Sequence, residues 1–304
     1  MAISRAQLVK ELEPGLNALF GLEYKRYDNQ HAEIYTNESS DRAFEEEVML
    51  SGFANANVKV EGSGVNYDQS QETYTARYTH DTIALAFAIT EEAIEDNLYD
   101  RISSRYTKAL ARSMSNAKQV KAAAPLNNGL PTADGFDSGD GVSLFNTAHT
   151  TVSGTNVKNT LTTQADLNET SLEQALIDIA AFTDERGLRV AAKGVKMIIP
   201  SANQFSAERL LKSQGRTGTA DNDINAVASM GMVPQGYRVN NFLTDSDSWY
   251  IITDVPNGMK MFTRAPLTTA MEGDFDTGNV RYKARERYAF GASDFRGIFG
   301  CEGA

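Results

Sequence analysis

Residues 90–128 read TEEAIEDNLYDRISSRYTKALARSMSNAKQVKAAAPLNN, and the rest of the chain is organised around them. No Gly or Pro interrupts residues 91–124, so the pattern predicts one long helix. Thr90 caps its start, and Pro125 followed by Asn127, Asn128 and Gly129 ends it. At 1.5 Å per residue such a helix is roughly 50 Å long, several times the usual length. Glu91, Glu92, Glu95, Asp96 and Asp100 fill its first turns, and every later charge is a cation, the order the helix dipole favours. Ile94, Leu98, Ile102, Tyr106, Leu110, Met114 and Ala117 step mostly by four, so their stripe drifts around the cylinder. That suits a spine laid across a sheet or a neighbouring subunit. Arg101, Arg105, Lys108 and Arg112 share another face. It reads first as a solvated cationic face, and otherwise as a weak contact for an acidic neighbour or DNA.

The bulk numbers narrow the class. A chain of 304 residues buries enough surface to need no staples. Cys301 is the only cysteine, which excludes an intramolecular disulfide framework and fits a reducing compartment. No signal peptide opens the chain, and no window approaches 18 apolar residues in a row. A net charge of −11 argues against a surface that grips nucleic acid throughout, while leaving room for a local basic patch.

From the N-terminus, residues 4–27 predict an amphipathic helix broken near Pro14-Gly15, carrying Leu8, Leu12, Leu16, Leu19 and Phe20 as an arm that packs elsewhere. DRAFEEEVMLS, 41–51, reads as a solvated acidic run, because Glu45, Glu46 and Glu47 cannot share one face. Residues 52–90 then read as two strand-like flanks around a turn-rich middle, Gly62 to Ser70, which is the signature of a long hairpin. Tyr74, Ala76, Tyr78 and His80 alternate on even positions, whereas Ile83, Leu85, Phe87 and Ile89 alternate on odd ones. The phase change predicts a bend near Asp81-Thr82. Gly62 and Gly64 lack the third glycine and following helix of a nucleotide loop.

Residues 127–166 form a polar loop, and His149 within it reads as a packing residue rather than a base. His31 and His80 sit in unrelated stretches without ligand spacing. An α/β section follows. Thr170 and Glu173 predict a capped helix ending at Gly187, and Val195–Ile199 a buried strand stopped by Pro200. Ser201 and Gln204 predict a second capped helix with Phe205, Leu210 and Leu211, ending at Gly215. Tyr237–Phe242 and Trp249–Thr253 read as strands joined by an acidic turn. In the β-rich tail, Arg281, Lys283, Arg285 and Arg287 lie on one strand face, opposite Val280, Tyr282, Ala284, Glu286 and Tyr288. Four cations on one face predict salt bridges to an acidic partner surface, or an edge that resists aggregation.

Several stretches carry a family resemblance: AFAITEEAIEDN entering the spine, LFNTAHTT in the polar loop, KMIIPSANQFSAERLLKS, and the closing DFRGIFG. In this order the chain resembles the major capsid proteins of tailed bacteriophages, with their Hong Kong 97-like fold, over nearly its whole length. The resemblance implies an α+β chain with an N-terminal arm and lead-in at 1–48 and an extended loop at 49–82. It further implies a peripheral domain with the spine helix at 83–128, the polar loop at 129–164, an axial domain at 165–257, and return strands at 258–304. It implies self-assembly into hexamers and pentamers of an icosahedral virion shell around double-stranded DNA, built in the host cytoplasm, with portal, scaffolding and decoration proteins as partners. The arm begins almost at Met1, so a separate scaffold or a mature chain is expected. Lys59 lies in the loop where one lineage forms isopeptide bonds, but no partner Asn or assisting Glu aligns, and that chemistry is not carried over.

Gly62, Gly64, Tyr67, Arg281, Lys283 and Arg285 are therefore the candidate inter-subunit residues. No catalytic, metal or cofactor residue is expected. The alternatives are an encapsulin-like compartment for cargo enzymes and a soluble hydrolase. The hydrolase has no nucleophile elbow, metal cluster or phosphate loop behind it.

Overall fold

The computed structural model describes residues 5–90, 92, 99–130, 135–216, 223–274 and 278–304, with side chains in the first two helices from residues 13 and 103 onward. Helix α1 is Arg5–Arg26. The spine helix, α2, is described from Tyr99 to Asn128, about 45 Å at helical rise. Thr90 is described outside any helix, and the acidic first turns after it fall largely outside the described residues.

Two four-stranded sheets flank the spine. The long sheet has the order β1 (Thr36–Ser39), β10 (Met259–Gly273), β11 (Val280–Ala292) and β4 (Asp81–Ile89). Its β10–β11 pair is an antiparallel hairpin, with β1 parallel on one edge and β4 antiparallel on the other. The short sheet has the order β12 (Ile298–Cys301), β9 (Trp249–Thr253), β7 (Gly194–Ile199) and β8 (Tyr237–Val239). β2 (Phe44–Leu50) and β3 (Glu72–Thr79) form a separate two-stranded ribbon, and β5 (His149–Thr150) and β6 (Asn156–Val157) a small one in the polar loop. Helices α3 (Glu169–Ala180), α4 (Gln204–Lys212) and α5 (Ala226–Met230) surround the short sheet.

The spine faces both sheets. Leu110, Ala111 and Met114 pack with Leu16 and Phe20 of α1 and with Tyr282 and Ala284 of β11. Further along, Ala122 and Leu126 enter the larger core with Trp249, Tyr250 and Ile251. Carbonyls in its C-terminal turns accept hydrogen bonds from two buried tyrosines: Tyr35 Oη to Ala122 O at 2.6 Å, and Tyr250 Oη to Leu126 O, one of the carbonyls orphaned at the helix end, at 3.2 Å. The buried face also includes Ser103, Thr107, Ala111 and Ser115, small residues that the four-residue stripe omits, while Tyr106 has turned outward.

Several expected boundaries are corrected. α1 runs unbroken through Pro14 and Gly15, because Leu16 and Phe20 are held on the spine and offset the lost backbone bond. Pro125 lies inside the last turn of α2 instead of ending it. The first hairpin strand is Phe44–Leu50, not the stretch after Gly52, so the acidic run is a strand with an alternating face. Asn168 and Ser171, not Thr170 and Glu173, form the cap of α3, which ends at Ala180. A 3-10 turn, Ser201–Asn203, precedes α4, no side chain caps it, and Phe205 faces solvent. α4 stops at Lys212 rather than Gly215, and β8 stops at Val239 rather than Phe242. β8 and β9 do not pair, because β7 lies between them.

The C-terminal segment closes the core. Gly297 and Gly258 touch backbone to backbone, and a Cβ on Gly258 would sit 2.7 Å from Gly297 Cα. No side chain larger than hydrogen fits either position. Gly297→Ala should therefore cost about 1–3 kcal/mol or more by overpacking, seen as a lowered thermal midpoint or loss of soluble protein. A wild-type melting curve would show that the contact opens without cost.

Candidate functional site

The feature least satisfied within one subunit is the segment between β2 and β3. Ser51 N donates to Gln71 O at 2.9 Å and Gln71 N to Ser51 Oγ at 3.0 Å, which closes the root. Beyond it, residues 51–71 form no strand. The tip turns at Val60–Ser63, with Ser63 N donating to Val60 O at 3.1 Å. Gly62 takes φ +80° there, a left-handed conformation that glycine tolerates best. Gly64 follows with open space around its Cα. Val58 and Tyr67 are each 94% exposed, and Phe53, Val60 and Val65 are exposed beside them. Lys59 is exposed on the same arm.

The ribbon is clamped at its base. Lys260 is buried between two carboxylates, 2.5 Å from Glu47 and 3.0 Å from Glu38. Glu47 of the acidic run is thus an internal partner rather than a solvated charge, because the alternation of β2 points it at the long sheet. Glu45 accepts from Ser40 Oγ at 2.6 Å, and Ser40 Oγ lies 2.9 Å from His80 Nε2. His80 is buried where β3 gives way to β4, so the phase change predicted near Asp81-Thr82 is a change of sheet. Burial first, and then Arg287, lower the His80 pKa.

The cations of β11 point as the alternation predicts: Arg281, Lys283 and Arg285 are exposed and Arg287 half-buried. Arg281 is ion-paired with Asp274 of the same chain, so this cation already has an internal partner. No ion pair of Lys283 or Arg285 is seen among the described residues. On the spine, Arg105, Lys108 and Arg112 are exposed, while the side chain of Arg101 lies outside the described set. Arg281 and Lys283 line an open cavity of about 600 Å³ with Glu272 and Asp274, and the two groups of cations sit on different elements.

The buried polar groups act as structural ties. On the inward face of β11, Glu286 accepts from Lys118 Nζ at 3.2 Å and from Tyr24 Oη at 3.5 Å. This carboxylate joins α1, the spine and the long sheet. Burial pushes its pKa up, against the pull of Lys118. His149 is fully buried, with Nδ1 2.6 Å from Asp140 Oδ2, Nε2 3.1 Å from Asn159 Oδ1, and the ring stacked on Phe295. It has no access to a substrate and packs the polar loop onto the C-terminal segment. No group of three His, Cys, Asp or Glu able to hold a metal occurs among the described residues. Lys260, Asp68, Arg186 and Glu286 were not singled out by sequence reading. Only Glu286, a carboxylate alone on an apolar strand face, carried a visible signal.

Two sheets, a spine helix and a projecting ribbon define the architecture of the chain. A sequence profile described as phage capsid protein matches residues 73–300, and the chain belongs to that family. Among solved structures it is similar to the capsid of an empty GTA particle, at 14% identity, a TM-score of 0.59 and 91% coverage of both chains. The capsid of Myoviridae phage XM1 matches at 12% identity and TM-score 0.54, covering 89% of each chain. A virus-like particle from Pyrococcus furiosus matches at 11% and 0.53, covering 94% of this chain and 98% of that one. No curated protein sequence matches. The fold is the Hong Kong 97-like capsid fold, and the protein is a structural shell protein.

One histidine gives this architecture a pH signature. His31 Nδ1 lies 3.0 Å from Gln119 Nε2 of the spine. Burial first, and then Lys118, lower its pKa from 6.5 to about 4. The folded chain thus holds this proton less tightly than the unfolded one, so stability is lost as pH falls from 6.5 towards 4. His31→Asn should flatten that part of the stability–pH curve, measured by denaturant titration. Parallel curves for both proteins would exclude the effect.

Proposed function

We propose that this chain is the major capsid subunit of a tailed phage. In this reading it forms hexamers and pentamers that close into an icosahedral shell around double-stranded DNA. The observation that carries this beyond family membership is the exposure of Phe53, Val58, Val60, Val65 and Tyr67 on a projecting segment. Apolar side chains on such a segment find burial only against another surface, and permanent interfaces bury about 2,000–5,000 Å². Like subunits meeting head to tail close into rings. Gly62, Gly64 and Tyr67, with the cations of β11, are assigned to these contacts.

The division into arm, extended loop, peripheral domain and axial domain fits the two sheets and the ribbon. A net charge of −11 suits a container that confines an acidic polymer without gripping it. Arg105, Lys108 and Arg112 then make a weak, salt-sensitive contact with packaged DNA. Assembly takes place in the host cytoplasm and the product resides in the virion, with portal, scaffolding and decoration proteins as further partners. No enzymatic step is assigned. An encapsulin-like compartment shares the architecture, and nucleic acid rather than a protein cargo inside purified particles separates the two.

Deleting Gly62–Ser70 should leave the subunit folded, with an unchanged circular dichroism spectrum, and reduce closed particles in electron micrographs at least tenfold. Normal shells from the deletion variant would remove the loop from assembly. Reversing the charges of Lys283 and Arg285 should likewise reduce particle yield more than thermal stability, and equal losses would point to a role inside the subunit.

A further inference from the structure

The exposed loop has an unexplained feature: it projects, yet it is held. Residues 52–70 form no ladder of their own, and a segment of this length without internal structure samples many directions unless tied. The tie is a single carboxylate. Asp68 Oδ2 accepts from Ala54 N at 2.7 Å, across the loop. Its Oδ1 accepts from Gln69 N at 2.9 Å and from Arg186 Nη2 at 2.9 Å. Arg186 Nη2 also donates to Gln69 O at 3.3 Å. Asp68 therefore joins the two arms of the loop to each other, and Arg186, from another part of the chain, holds the returning arm at Asp68 and Gln69.

That guanidinium stands on a rigid post. Asp184 folds residues 184–188 into a turn, its Oδ1 accepting from Arg186 N at 2.9 Å and Leu188 N at 2.8 Å, with Gly187 at φ +85°. Glu185, the next residue, is buried and ion-paired with Arg296 at 2.7 Å. The turn is thus anchored in the core of the short sheet, and Arg186 projects from it with most of its side chain covered. The two N–H groups of Ala54 and Gln69, and then Arg186, hold the Asp68 carboxyl below its usual range.

We infer that Asp68 is a positioning residue: by bonding to Ala54 on one arm of the extended loop and to Arg186 behind the other, it sets the direction in which the loop meets the next subunit. This rests on the assembly reading above. A partly exposed ion pair of this kind contributes little to folding stability. Its value here is preorganisation, since a loop already aimed loses less freedom on docking, and the gain repeats at every contact in a closed shell.

The test compares wild type with Asp68→Ala, Arg186→Gln and Arg186→Lys. Three readouts are taken: thermal unfolding of unassembled subunits, hydrogen exchange at the Ala54 and Gln69 amides, and the fraction and size distribution of particles by electron microscopy. Asp68→Ala and Arg186→Gln should leave the unfolding midpoint unchanged and raise exchange at Ala54 at least tenfold. They should also cut the fraction of regular closed particles at least fivefold, in favour of open or irregular ones. Arg186→Lys, which keeps the charge, should restore most of that fraction. Wild-type particle yield and regularity in both disabling variants would overturn the inference, as would assembly losses that merely follow a falling midpoint. If wild type itself forms no particles, the assembly reading fails instead, while unchanged exchange at Ala54 would still reject the clasp.

Discussion

A guanidinium almost wholly removed from water holds the centre of this structure. Arg296 is buried with its side chain 3% exposed, 2.7 Å from Glu185 and 3.2 Å from Asp294, donating also to Thr183 O at 2.7 Å and lying over the Phe295 ring. An unpaired charge there would be prohibitive, and removing one partner of such a pair typically costs about 3–5 kcal/mol. The arrangement forces three distant parts of the chain together: the C-terminal segment, the turn after α3 and, through Asn159, the polar loop. Asn159 Nδ2 donates to Leu144 O at 2.8 Å, Phe295 O at 3.1 Å and Ile298 O at 3.3 Å. A long loop that would otherwise be free becomes a layer of the core.

The spine helix does comparable work at longer range. The middle of its described length is covered by α1 and the long sheet, and its C-terminal turns are bonded by tyrosines belonging to the larger core. Lys118 and Glu286 tie its middle to β11, with Tyr24 of α1 as the third member. A single rigid rod thus carries both sheets. The ribbon and loop stand outside this frame, clamped at the base by Lys260 and steadied by Asp68.

This division has a functional logic. The cores are complete within one subunit, with aromatic side chains such as Trp249, Tyr250 and Phe299 fully buried. The loop has its backbone steadied and its apolar side chains left open. A shell subunit needs both properties: a body that folds before assembly, and a surface that finishes folding only when copies meet.

Much of this was legible in one dimension. The helix over Tyr99–Asn128, the alternation of Arg281, Lys283 and Arg285 against Val280, Tyr282 and Ala284, and the phase change before Ile83 follow from periodicity, which is local. So does the turn at Gly62, which demands a residue tolerant of positive φ. The corrections concern places where tertiary packing outweighs local propensity. α1 passes through Pro14 because Leu16 and Phe20 dock on the spine, and Glu45–Glu47 form a strand because Lys260 waits for one of them. Partners as far apart as Asp68 and Arg186, or Glu286, Lys118 and Tyr24, leave no trace in spacing, because nothing in the chain encodes which side chains meet after folding. The amino-acid order alone determined the long helix, the alternating strand faces and the resemblance to a family. Only the folded structure decided which charges are buried together and where the loop is held, since burial is a property of the whole packed chain.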